Sequence, residues 1–167
     1  MGTQSSSVIP VRDPKDICRL DALAMPGGES TTIARLINSK GMRRPLEVFE
    51  GGIFATCAGM VLMAAKVDDA RFEPLGLIDM TVKRNAFGRQ KESFETDLAV
   101  GGLNEPFHAY FIRAPVAEKC GPAATIMASI EAGIVAVRQG KHMAFAFHPE
   151  LGGDMRLHIM FLEGLGI

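Results

Sequence analysis

Cys57 lies in Phe54-Ala55-Thr56-Cys57-Ala58-Gly59-Met60, between a short apolar run and a run of small residues. That context predicts a nucleophile elbow, a tight strand-to-helix turn that pushes the side chain out above a sheet. Small neighbours suit such a turn, because the strand and helix backbones approach closely there. The helix start stabilises negative charge and so favours the thiolate, the reactive form of cysteine. The Ala58 amide would point toward an oxyanion forming beside the sulfur. Taken alone, Cys57 also fits a buried structural cysteine. Cys18 and Cys120, which lack an elbow context, are read that way.

A base and its orienter stand in Phe147-His148-Pro149-Glu150. In extended chain, residues two apart point to the same side, so His148 and Glu150 are expected to share a face. Pro149 restricts His148 to extended backbone and stiffens the pair. A carboxylate beside an imidazole selects its tautomer and steadies the ring, as a general base requires. The alternative is a strand-end histidine with a solvated glutamate; His108, His142 and His158 are read as such bystanders. Together the elbow cysteine and His-x-Glu supply nucleophile, base and orienter, the set of a cysteine hydrolase. The acid follows the histidine here. In α/β-hydrolases it precedes it, which disfavours that fold.

A third stretch, Met25-Pro26-Gly27-Gly28-Glu29-Ser30-Thr31-Thr32, follows an expected strand and opens an expected helix. Its amides suit an anion or a developing oxyanion. It lacks the lysine of a P-loop and the spacing of a dinucleotide fingerprint. By itself it also reads as a helix start with Ser30 or Thr31 as N-cap. Glu29 favours a functional role, because a carboxylate beside the elbow suits a substrate's ammonium group.

The elements that must carry these residues alternate between apolar runs and helical stretches, the pattern of an α/β fold with a largely parallel sheet. Strands are expected at 8–11 and 20–25, separated by a turn at Asp13-Pro14. A helix carrying Ile33, Leu36 and Ile37 follows, then a short helix over 45–50, a buried strand over 53–56 and a small-residue helix over 58–65. Ile78, Met80 and Val82 alternate with polar residues, as in a half-exposed strand. Residues 107–112 form another strand, 134–137 and 143–147 a hairpin about Gln139-Gly140, and 155–165 an amphipathic helix.

The 167 residues suit one domain, are 47% hydrophobic and 22% charged, and carry a net charge of -1. With the charges scattered, neither a nucleic-acid footprint nor a polybasic membrane patch is expected. Every apolar stretch is interrupted before bilayer length, and the polar N-terminus has no secretory signature. The three cysteines are odd in number and unpatterned, which points to a reducing, cytoplasmic setting.

Five stretches occurring together and in order resemble one family: Pro26 to Thr32, Thr56 to Gly59, Arg84-Asn-Ala-Phe-Gly-Arg-Gln90, Phe111 to Pro115 and His148 to Glu150. They are similar to the glutaminase subunits of pyridoxal 5′-phosphate synthase, which are class I glutamine amidotransferases. The Cys and His-x-Glu motifs belong to the whole class, the first and third stretches more to the vitamin B6 branch. The resemblance implies a flavodoxin-like three-layer α/β sandwich with a mostly parallel central sheet and a C-terminal antiparallel hairpin. It implies an amidotransferase domain over 8–167, with 1–7 a leader or expression remnant. The family's first strand and helix, with its Leu-Gln-Gly motif, is expected to be missing, and Ala55 stands where the elbow usually has glycine.

The same resemblance implies a Cys57–His148–Glu150 triad, an oxyanion hole from the Gly28 and Ala58 backbones, and glutamine binding by Gly28, Glu29, Ser30, Arg84, Ile112 and Arg113. Without the motif, Arg84 and Arg113 read as solvated surface arginines. No metal or cofactor is implied, pyridoxal phosphate being a product of the complex. The implied partners are L-glutamine and a (β/α)8-barrel synthase subunit in a large hetero-oligomer. The alternatives are a glutaminase of another pathway and a non-catalytic docking module that regulates a synthase.

Overall fold

Three parallel strand ends bring the sequence-distant motifs together. The computed structural model describes residues 7–87 and 93–167, and its elements follow in order. They are α1 (Pro14–Ile17), β1 (Ala22–Met25), α2 (Ser30–Ser39), α3 (Arg43–Glu47), β2 (Gly52–Thr56), α4 (Ala58–Met63), β3 (Ala64–Val67) and β4 (Ile78–Lys83). Then come β5 (Ser93–Leu98), β6 (Phe107–Ile112), β7 (Val116–Cys120), β8 (Thr125–Ile130), β9 (Gly133–Gln139), β10 (His142–Phe145), a 3-10 turn (Pro149–Leu151) and α5 (Arg156–Glu163).

The main sheet runs β1-β2-β10-β9-β7-β4-β3, with β8 also paired to β9, while β5 and β6 form a separate ribbon. Strands β1, β2 and β10 are mutually parallel, with Met25 opposite Ala55 and Phe145 opposite Thr56. Their C-terminal ends therefore emerge side by side, the usual place for a ligand in an open α/β sheet. The expected C-terminal hairpin is β9–β10, which is antiparallel. Beyond it the sheet is more mixed than the sequence pattern suggests: β7 is antiparallel to both β4 and β9, and only β3–β4 returns to parallel.

Helices cover both faces. The Ala55 methyl faces Gly59 of α4, whereas the neighbouring Phe54 ring lies 4.7 Å from His158 and 5.4 Å from Phe161 of α5. Successive strand residues point to opposite faces, so α4 and α5 flank the sheet as outer layers. Strand β2 is buried along its whole length, and so is α4. An aromatic cluster seats the β5–β6 ribbon on this core: Phe94 stacks on Phe111 at 4.5 Å, and Phe111 reaches Phe147 at 5.5 Å.

Several local expectations need correction. No strand forms over 8–11, where Val8 is 96% exposed and Pro10 lacks an amide to donate to a ladder. Asp13-Pro14 is not a turn but the start of α1, where Asp13 and Asp16 make a reciprocal capping box and Pro14 takes the first helical position. The short helix is Arg43–Glu47 rather than 45–50. The helix expected over 58–65 stops at Met63, and Ala64 opens β3. Residues 1–6 and the Gly88-Arg89-Gln90 end of the arginine motif lie outside the described residues, so the leader assigned to 1–7 is described only at Ser7.

Candidate active site

The elbow forms as the small-residue pattern requires. Cys57 has φ 49° and ψ −107°, a strained conformation for a side chain bearing a Cβ, and it caps α4. The strain is held from both sides. The Cys57 amide donates to the Phe145 carbonyl at 2.8 Å, extending the β2–β10 ladder past its last pair. Gly59 packs so close to β1 that a side-chain carbon there would strike the Met25 carbonyl. Ala55, fully buried, is accommodated because the position facing it in α4 is this same glycine. The thiol is 8% exposed, and its sulfur stands 3.8 Å from the Ile112 carbonyl. Ala58 occupies the first position of α4, so its amide lies outside the helix's own ladder.

His148 reaches this sulfur from β10, but not by the route expected. The strand ends at Phe145, and His148 caps the 3-10 turn. Glu150 therefore meets the imidazole through a tight turn rather than as a same-side neighbour in extended chain. The pairing itself holds: Nδ1 lies 2.8 Å from Oε1 of Glu150. The His148 amide also donates to the Tyr110 carbonyl at 2.9 Å, tying the base to β6. With Nδ1 engaged, Nε2 is left for Cys57. Hydrogen bonding to Cys57, and after it to Glu150, outweighs burial and raises His148 to about 9. A sulfur nucleophile beside an imidazolium oriented by a carboxylate is competent for acyl transfer.

Gly27 crosses directly over this pair. A side-chain carbon there would sit 2.7 Å from Cε1 of His148 and 3.2 Å from Cβ of Cys57. Its neighbour Gly28 has φ 148°, open to glycine and strained for other residues. The two glycines thus let the loop after β1 lie against the reacting groups.

The helix start differs from expectation. Glu29, not Ser30 or Thr31, is the N-cap of α2, accepting from the Thr32 amide at 2.9 Å and from the Thr31 hydroxyl. These bonds, the Thr31 hydroxyl foremost, hold its carboxyl down at about 2. Its second oxygen takes Nη2 of Arg84 at 2.8 Å. Arg84, which is only 16% exposed, is no solvated surface arginine: Nη1 pairs with Asp69, and its amide donates to Asp68 at 3.0 Å.

One cleft of about 240 Å³ gathers these groups. Gly28, Glu29, Ser30, Ala58, Arg84, Ile112 and Arg113 all line it, together with Cys57 and His148, while Glu150 stands behind the imidazole. Sequence reasoning did not single out Val61, Asn85 and Pro115, which complete the lining, or Asp69. One backbone signal marks the site: among the described residues, the non-glycine residues with positive φ are Cys57, Asn85 and Arg113, and each lines the cleft. Backbone strain concentrates where function does.

Comparisons with known proteins span nearly the whole chain. The profile of the SNO glutamine amidotransferase family matches residues 3–166. A relative from Methanosphaerula palustris, named pyridoxal 5′-phosphate synthase subunit PdxT, is 65% identical over 96% of this chain and 83% of its own length. One of the same name from Methanoregula boonei is 58% identical over 99% and 86%. A crystal structure described as a glutamine amidotransferase superposes with TM-score 0.88 at 45% identity, covering 94% of this chain and 85% of that one. A Thermoplasma acidophilum protein whose crystal structure is described as that of a putative GMP synthase component shares the fold at TM-score 0.64 and 16% identity, over 92% and 75%.

Proposed function

The chain belongs to the SNO glutamine amidotransferase family, and on that premise we propose that it is the glutaminase of a pyridoxal 5′-phosphate synthase, hydrolysing L-glutamine with Cys57, His148 and Glu150. The cleft supports this reading because it holds, side by side, a sulfur–imidazole pair for acyl transfer and the opposite charges a zwitterion needs. The domain proposed for this chemistry is 8–167.

Glutamine lies with its carboxamide at Cys57, its ammonium toward Glu29 and its carboxylate toward Arg84, with Ser30, Ile112 and Arg113 shaping the wall. The Cys57 thiolate attacks the carboxamide carbon, forming a C–S bond and pushing the π electrons onto oxygen. The Gly28 and Ala58 amides face that oxyanion. His148, charged and steadied by Glu150, gives its proton to the departing nitrogen. Collapse breaks the C–N bond, releasing ammonia and leaving a glutamyl thioester. The now neutral imidazole takes a proton from water, whose oxygen attacks the thioester. Glutamate leaves and the thiolate–imidazolium pair returns. The ammonia passes to the partner, which we take to be a (β/α)8-barrel synthase subunit in a cytoplasmic hetero-oligomer.

The test is ammonia release from glutamine, with and without the synthase subunit, for the wild-type chain and Cys57→Ala. The wild type is expected to release ammonia with its partner present, and Cys57→Ala to lose about 10⁴-fold or more. Equal rates for the two would overturn the reading.

A further inference from the structure

Arg84 is gripped from two sides, and the grip away from the cleft has no part in the reaction above. Its Nη2 meets Glu29, which lines the cleft, while its Nη1 meets Asp69, which does not. Asp69 is itself 10% exposed and held in turn by Arg71, whose Nε lies 2.8 and 3.0 Å from its two oxygens. The neighbouring Asp68 fixes the other end of Arg84 through the backbone amide at 3.0 Å. Four groups, Glu29, Arg84, Asp69 and Arg71, thus form a chain of alternating charge running from the cleft to the surface.

Resting on the reading of the cleft as a glutamine site, we propose that Asp69 is a positioning residue that keeps Arg84 available to the substrate's α-carboxylate. Here the two groups meant for the ends of a zwitterion are paired with each other. Glutamine exchanges that single ion pair for two: its ammonium takes Oε1 of Glu29 and its carboxylate takes Nη2 of Arg84. The exchange is isoelectric, and Arg84 keeps Nη1 on Asp69 throughout. Without Asp69, Nη1 is free to turn onto Oε1 of Glu29 beside Nη2, the other carboxylate oxygen being taken by the helix cap, and a second charge-assisted bond strengthens the pair. The two recognition charges then quench each other, and glutamine has to break a stronger bond to enter. Arg71 completes the device by occupying Asp69 from behind, so that it does not swing toward the ammonium itself.

The test compares wild type, Asp69→Asn and Asp69→Glu, assayed with the synthase partner on glutamine and on butyramide, which has the carboxamide but neither the ammonium nor the carboxylate. Asp69→Asn is expected to raise KM for glutamine about tenfold, with kcat within about twofold, the loss of one charged hydrogen-bond partner. Asp69→Glu should recover most of the change. The kcat/KM for butyramide, already low in wild type, should not move, because it calls on neither Glu29 nor Arg84. An unchanged KM for glutamine in Asp69→Asn overturns the proposal, and so does a parallel loss on both substrates, the mark of a merely structural role. A wild-type chain that releases no ammonia overturns the functional reading, and the proposal with it.

Discussion

The two ends of the cleft are built on different principles. At the reaction end, Cys57 and His148 emerge from adjacent parallel strands, and each is locked by a backbone hydrogen bond to another strand, at Phe145 and Tyr110. The thiol is buried and its backbone is strained. At the recognition end, Glu29, Arg84 and Arg113 leave loops and strand ends, and the first two are held by ion pairs rather than by packing. Half of the Glu29 side chain is exposed. The difference follows from what each end must do. Attack on a carbonyl tolerates little misplacement, so those atoms are fixed by the sheet. Recognition of a zwitterion requires partners that change, and the half-exposed Glu29 carboxylate can trade Arg84 for a substrate ammonium without moving the backbone.

That contrast predicts distinct kinetic signatures. The largest belongs to Gly27→Ala, whose new methyl presses on His148 and Cys57 from above. It should lower kcat by about 100-fold with KM little changed, as expected for roughly ångström-scale misplacement of a base. If KM rises instead, the loop after β1 belongs to recognition and the division between the two ends fails. Next comes Arg84→Ala, which should raise KM for glutamine roughly 10- to 100-fold while kcat stays within a few-fold, from the loss of a charge-assisted bond. A kcat defect of that size would place Arg84 in the reaction.

The smallest effect concerns stability. His148 titrates near 9 in the folded protein against an ordinary 6.5, with Cys57 as the main cause. A group whose folded pKa is raised stabilises the fold fully below its unfolded pKa and loses that contribution as pH rises through the folded one. The melting temperature of the wild type should therefore fall, relative to His148→Asn, between about pH 6.5 and about 9. Parallel melting curves across that window would show that the reaction end gains nothing from the imidazolium.

Much of the reaction end was legible in the sequence because its demands are local. Small residues around Cys57 and the apolar run before it announce a strand, a tight turn and a helix. The His148–Glu150 spacing was read correctly for the wrong backbone, since a tight turn and an extended strand can both bring residues two apart onto one side. The recognition end was harder to read. Glu29 displaced Ser30 and Thr31 as cap although short hydroxyl and Asx side chains are the favoured types, because its longer carboxylate also had Arg84 to meet. Asp69 and Arg84 lie fifteen residues apart, and no periodicity links them. Strand β5 carries only Phe94 and Leu98 as large apolar residues, and β3 reads in sequence as the tail of α4. Both are imposed by pairing, β5 with β6 and β3 with β4, and not by pattern.

Whether Cys57 is the atom that carries the acyl group can be read without kinetics. Wild-type protein mixed with glutamine and its synthase partner, quenched in acid within the turnover time and examined by peptide mass spectrometry, should show a glutamyl adduct on the peptide containing Cys57. His148→Ala should show far less. An adduct on Cys18 or Cys120, or steady ammonia release with no acyl-protein at any quench time, would contradict the chemistry assigned to this cleft.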